Sequence, residues 1–169
     1  KPNAAHLRLA KLEREGRLKA VITQNIDGLH QAAGSKTVYE LHGSTLRNYC
    51  VKCGAFYDVD FIANSTGVPC CPKCGGIIKP DAVLYEEGLD EQVLSGAVAA
   101  IRRADTLIIG GTSLVVYPAA GLILLGWGIV QVGLSLQSHD PSQRSQGFLT
   151  LAGGLVITFA KEILDLITA

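Results

Sequence analysis

The sequence predicts an α/β fold: a partial, Rossmann-like parallel sheet with a small zinc-binding module, followed by an apolar helical hairpin. Three observations carry that prediction. Helix-like and strand-like segments alternate through the first two thirds of the chain, with polar or glycine clusters where strands end. Two Cys-x2-Cys pairs interrupt the alternation. No charged residue occurs from Thr106 to His139, and near residue 120 the chain changes character.

The elements follow in order. KPNAAHLRLAKLEREGRL (1–18) spaces Ala5, Leu9 and Leu12 at helical intervals and puts Gly16 where a C-terminal cap falls. KAVIT (19–23) reads as a short buried strand running into Gln24, Asn25, Asp27 and His30. A turn needs one or two such groups, to cap a helix or fix a bend, so four at one strand end read as a site. Residues 28–33 read as a turn of helix ended by Gly34. TVYELHG (37–43) is a second strand, leading into His42 and Gly43. Residues 44–79 are rich in Cys, Gly and Pro with little periodicity, which suits a module held by something other than an apolar core. AVLYEE (82–87) reads as a third strand, and DEQVLSGAVAAIRRA (90–104) as an amphipathic helix with Asp90 near its start. DTLIIGGTSL (105–114) reads as a strand ending in a Gly-Gly-Thr-Ser loop. In a parallel sheet the functional loops lie at the carboxyl ends of strands, where 24–30, 42–43 and 110–113 are expected.

With 15 acidic and 15 basic residues the chain has no net charge, which argues against a basic nucleic-acid surface or an acidic disordered tail. It opens on Lys1, contains no Met and shows no signal peptide, so it reads as a fragment of a longer, cytoplasmic polypeptide.

Cys50-Val-Lys-Cys53 and Cys71-Pro-Lys-Cys74 are separated by 17 residues, and each pair is followed by glycine. Two such turns place four thiolates around one tetrahedral ion, and zinc is the metal this spacing selects. Cys70 is the spare; Cys70-x3-Cys74 is an alternative pairing, but Cys71 gives the better spacing. Four protein ligands leave no open position, so the predicted zinc is structural.

His42, after a strand and before Gly43, is a candidate general base, with Glu40 two residues upstream. A neutral imidazole beside the amide of Asn25 and the carboxylate of Asp27 suits proton abstraction from a polyhydroxylated ligand. Plainer roles compete: Asp27 as a helix cap, Gly110-Gly111 as a tight turn, Val83 as core.

Taken together, TQNIDGLH (23–30), LHG (41–43), the two cysteine pairs, KPDAVLYEE (79–87) and GTSLVVYPAA (112–121) resemble the sirtuins, the NAD-dependent protein deacylases. The opening PNAAHLRLAKLEREGRL also fits the helix that precedes TQNID in that family. The resemblance covers about residues 1–124. It implies that Gln24, Asn25, Ile26 and Asp27 line the pocket for the nicotinamide end of NAD, and that His42 is the base acting on the nicotinamide ribose. It implies further that Gly111, Thr112 and Ser113 meet the dinucleotide, and that Val83, Leu84 and Tyr85 pair with an acyl-lysine peptide as an added strand. The reaction so implied is a transferase chemistry: the acyl oxygen attacks the ribose as nicotinamide leaves. A ribose hydroxyl, assisted by His42, then takes the acyl group, giving free lysine and O-acyl-ADP-ribose. The family's Gly-rich phosphate-binding segment is not found in this sequence.

Residues 125–169 are of another texture and do not fit that family's pattern. The 18 residues 119–136 carry no formal charge, and a second apolar run at 147–160 follows the polar loop QSHDPSQRSQ. This pattern predicts a helical hairpin with the option of membrane association through 119–160. The leading expectation is a partial deacylase domain at 1–124. The alternatives are a zinc-stabilised peptide-binding module without turnover, or a membrane-associated hairpin fusion protein.

Overall fold

The structure is a computed structural model that describes residues 1–85 and 87–111, and beyond them only positions 128, 129, 132, 145, 149 and 150. The chain divides into two compact units, Lys1–Asp90 and Glu91–Ala169.

The first unit opens with helix α1 (Ala4–Arg14), capped by Asn3, whose side chain accepts from the backbone N–H groups of Ala5 and His6. Its other end is a Schellman turn: Gly16, at φ 72°, donates to Glu13 and Arg17 donates to Leu12. The helix is thus shorter than the 1–18 its pattern suggested, because the chain has turned back at the glycine.

Strand β1 (Val21–Thr23), helix α2 (Leu29–Ala32) and strand β2 (Val38–Glu40) form a βαβ unit. β1 and β2 pair in parallel, with Val21 opposite Val38 and Thr23 opposite Glu40. Both strands therefore leave the sheet at the same edge. Glu13 fastens α1 to this unit, its two carboxylate oxygens accepting from Lys36 and Thr37 N–H at 2.8 and 2.7 Å.

The cysteine-rich stretch has more order than its composition suggested. Strand β3 (Gly43–Cys50) runs antiparallel between β4 (Phe56–Asp58) and β5 (Ile78–Ala82), and the short helix α3 (Val59–Ala63) follows β4. Its apolar core is small: Cys50, Cys71 and Ile78 are buried, with Ala55, Tyr57, Phe61 and Ile62 packed around them. Two of the three buried members are cysteines, so metal ligation and core packing fall on the same side chains.

Two sequence expectations are corrected. The third strand lies at 78–82, not 82–87. Glu87 N–H donates to the Leu84 carbonyl and the Glu87 carboxylate accepts from Leu84 N–H, turning the chain where the strand was expected to continue. Lys79 reaches the same carboxylate at 2.9 Å and fixes the turn.

In the second unit, helix α4 (Glu91–Arg102) buries Ala97 and Ile101. The expected strand at 105–114 is not a strand over its described part, 105–111. An apolar segment becomes a strand only where a neighbour supplies its ladder, and among the described residues none pairs with it. The expected hairpin and the membrane segment lie outside the described residues except at positions 128, 129, 132, 145, 149 and 150. Among those described, no helix is long and apolar enough to cross a membrane.

Candidate active site and metal centre

The metal centre follows from the hairpins that present it. Cys50 ends β3 and Cys53 lies in the turn after it; Cys71 and Cys74 lie in a second turn ahead of β5. The four sulfurs are all within 4.8 Å of one another. Cys50 and Cys74 Sγ are 3.4 Å apart, and Cys53 and Cys71 Sγ 3.6 Å. These separations are too long for disulfides, whose sulfurs bond at about 2.05 Å. They lie close to the about 3.8 Å edge of a tetrahedron with zinc–sulfur bonds of about 2.3 Å. The four cysteines are positioned to bind one zinc ion.

The surroundings fit that role. Tyr57 Oη lies 3.0 Å from Cys71 Sγ, and this hydrogen bond lowers the Cys71 thiol to about 6 while holding Tyr57's own proton up to about 12. Lys52 N–H points at Cys50 Sγ at 3.4 Å. A Cβ on Gly76 would stand 2.8 Å from that sulfur, so only glycine leaves room for the cage. Cys70 is exposed and stands outside the cluster, as its spacing implied.

The second site lies at the carboxyl edge of the parallel pair. His42 is half-buried just beyond β2, and its ring Nδ1 lies 3.1 Å from the Gln24 carbonyl just beyond β1. A carbonyl only accepts, so Nδ1 carries the proton and Nε2 of the neutral ring keeps its lone pair. The 24–27 loop is held from below by the Ile26 carbonyl, which accepts from Thr45 N–H at 3.0 Å and Thr45 Oγ1 at 3.2 Å. Asn25, Ile26 and Asp27 are exposed. Asp27 accepts from Leu29 N–H at 3.0 Å, but the N-cap position of α2 is Gly28, which has no side chain to cap it.

His30, the fourth polar residue of this loop, turns inward. Its ring packs on His6 with centroids 4.6 Å apart, and its Nδ1 is buried without a hydrogen-bond partner among the described residues. Burial, then the neighbouring His6, lowers its pKa against the opposing pull of Asp27 and Glu40.

The backbone of His42 is equally constrained, since its carbonyl accepts from Val83 N–H at 3.0 Å. That bond brings Val83 beside His42, while Leu84 and Tyr85 are exposed. Gly111 lies in the second unit at φ 70°. Thr112 and Ser113 lie outside the described residues.

One group was not legible in the sequence. Arg47, from β3, donates to Glu40 and Asp81 at 2.8 Å each, linking β2 to β5. The available hint was Glu40, a charged residue in an apolar strand two positions before His42.

The description "Sir2 family" matches this chain over residues 1–118. An NAD-dependent protein deacetylase of Clostridium perfringens is 73% identical over 123 residues, covering 73% of this chain and 50% of that protein. One of Thermotoga maritima is 49% identical over 173 aligned residues, covering 98% of this chain and 68% of that protein. The Thermotoga alignment therefore carries the likeness into 125–169, the stretch of different texture. A solved Sir2 complex with the inhibitor EX-527, 2'-O-acetyl-ADP-ribose and deacetylated p53 peptide superposes with a TM-score of 0.69 at 50% identity, covering 73% of this chain and 54% of that one. A second, of Sir2 with p53 peptide and NAD+, gives 0.68 at 51% identity, covering 72% and 52%. The chain spans about half the length of the first of these curated relatives.

Proposed function

The chain belongs to the Sir2 family, and from that premise we propose that it provides the base and the nicotinamide-side loop of an NAD-dependent protein-lysine deacylase. The observation that carries this reading is the hydrogen bond from His42 Nδ1 to the Gln24 carbonyl. It joins the candidate base to the candidate cofactor loop and leaves Nε2 as the proton acceptor.

NAD, when bound, supplies an activated ribose carbon with nicotinamide as leaving group and a hydroxyl that can take the acyl group. His42 Nε2 removes the proton of that hydroxyl. Gln24, Asn25, Ile26 and Asp27 face the nicotinamide end, with Gly111, Thr112 and Ser113 assigned to the dinucleotide. Val83, Leu84 and Tyr85 take the acyl-lysine peptide. The four-cysteine zinc ion fixes the module that carries β3 and β5 and takes no part in the reaction, because its ligand set is complete. The solved relatives' acetyl-ADP-ribose and peptides support this substrate pairing. We assign the protein to the cytoplasm, where four closely spaced thiols stay reduced and available to zinc.

The test is release of nicotinamide from NAD by the whole protein, with and without an acetyl-lysine peptide, beside His42→Ala. The expected result is peptide-dependent release and deacylated peptide, with deacylation lowered about a hundredfold or more by the substitution. A folded, zinc-loaded protein that binds the peptide without release would instead be the non-catalytic binding module.

A further inference from the structure

β3 and β5 pair as Gly43 with Ala82 and Ser44 with Asp81, then resume at Asn48 with Pro80. Thr45, Leu46 and Arg47 are therefore looped out against β5, at a place where proline has no N–H to give the ladder. Bulges of this kind re-aim side chains near active sites. Ser44 Oγ accepts from Leu46 N–H at 3.2 Å, and Asn48 Nδ2 donates to the Thr45 carbonyl at 3.3 Å, closing the bulge.

Each looped-out residue touches the His42 edge. Thr45 holds the Ile26 carbonyl through both its N–H and its hydroxyl. Leu46 lies where a side chain on Gly28 would fall. Arg47 grips two carboxylates at once, Nη1 on Glu40 and Nε on Asp81. Glu40 is only 8% exposed, ends β2 opposite Thr23, and precedes His42 by two residues. Asp81 pairs with Ser44, and its carbonyl fills the space beneath Gly43. One guanidinium thus ties the strand that delivers the His42 ring to the strand whose continuation, at Val83, holds the His42 carbonyl.

We propose that Arg47 is a positioning residue: by bridging Glu40 and Asp81 from the bulge, it sets β2 against β5 and holds His42 in register with Gln24. The inference rests on the reading of His42 as the base. A lysine could neutralise either carboxylate but lacks the rigid fork that grips both.

Three variants of the whole protein test it: Arg47→Met, Arg47→Lys, and Arg47→Met combined with Glu40→Gln, which removes the buried charge left without a partner. The readouts are kcat and peptide KM for nicotinamide release, thermal stability, and nitrogen NMR of the His42 ring. Arg47→Met should lower kcat roughly tenfold to a hundredfold with KM little changed, since the loss is one of alignment. The His42 spectrum should lose its single Nδ1–H form. Arg47→Lys should recover only part of the rate, and the double variant should regain stability without regaining kcat. The proposal is overturned if Arg47→Met keeps the parent rate and ring spectrum, or if the double variant restores rate and stability together. A parent protein that releases no nicotinamide would sink the functional reading instead, and the ring spectra would still decide the role of Arg47.

Discussion

At the residue scale, small backbone constraints hold His42 in place. Gly43 illustrates the point. Its φ of 72° lies where side chains are disfavoured, and a Cβ there would run into the Asp81 carbonyl oxygen. Gly43→Ala should therefore destabilise the first unit by about 3 kcal/mol, the sum of backbone strain and a clash with backbone that cannot yield. Denaturant titration checks this, and a cost near that of an ordinary surface glycine would contradict the geometry. That His42 meets the 24–27 loop was legible because both follow short apolar runs that read as neighbouring strands. Arg47 was hidden because nothing in GSTLRNYC marks which residue a bulge will re-aim.

At the element scale, β1 and β2 were readable as short apolar runs with polar ends, and the turn after β5 was not. The signals that placed a strand at 82–87 were apolar residues, but Glu87 captures the Leu84 N–H before a ladder can extend. The module at 44–79 was assigned to metal correctly, while β3, β4 and β5 went unseen because the bulge breaks their alternation. Zinc content tests the ligand set directly. Cys70→Ser should retain one zinc per chain, whereas Cys71→Ser should lose it and with it the order of the module. Retention of zinc by Cys71→Ser would mean that Cys70 takes its place. The docking of α1 has its own titration. Burial pushes the Glu13 carboxyl up, but the N–H groups of Thr37 and Lys36 outweigh it, so its pKa falls below 4.5. A depressed carboxylate stabilises the fold above its unfolded pKa, and that contribution is lost as pH falls through the folded value. Glu13→Gln should therefore cost about 1 kcal/mol at neutral pH. The gap to the parent protein should close below pH 4.5. A pH-independent difference would assign the effect to shape alone.

At the scale of the whole molecule, the chain carries the Sir2 signature over residues 1–118 and spans about half of its first curated relative. What the described residues bring together is His42, the Gln24 carbonyl its ring meets, and the four-cysteine module, whose strand β5 leads to the Val83 N–H that holds the His42 carbonyl. On the proposed reading, His42, its Nδ1 turned to the Gln24 carbonyl, takes the proton of a sugar hydroxyl and the acyl group passes to that hydroxyl. The fate of the acyl group therefore tests the account most directly. Mass spectrometry of the products from an acetyl-lysine peptide and NAD should find one acetyl-ADP-ribose for each lysine freed. Free acetate with NAD unconsumed would contradict it.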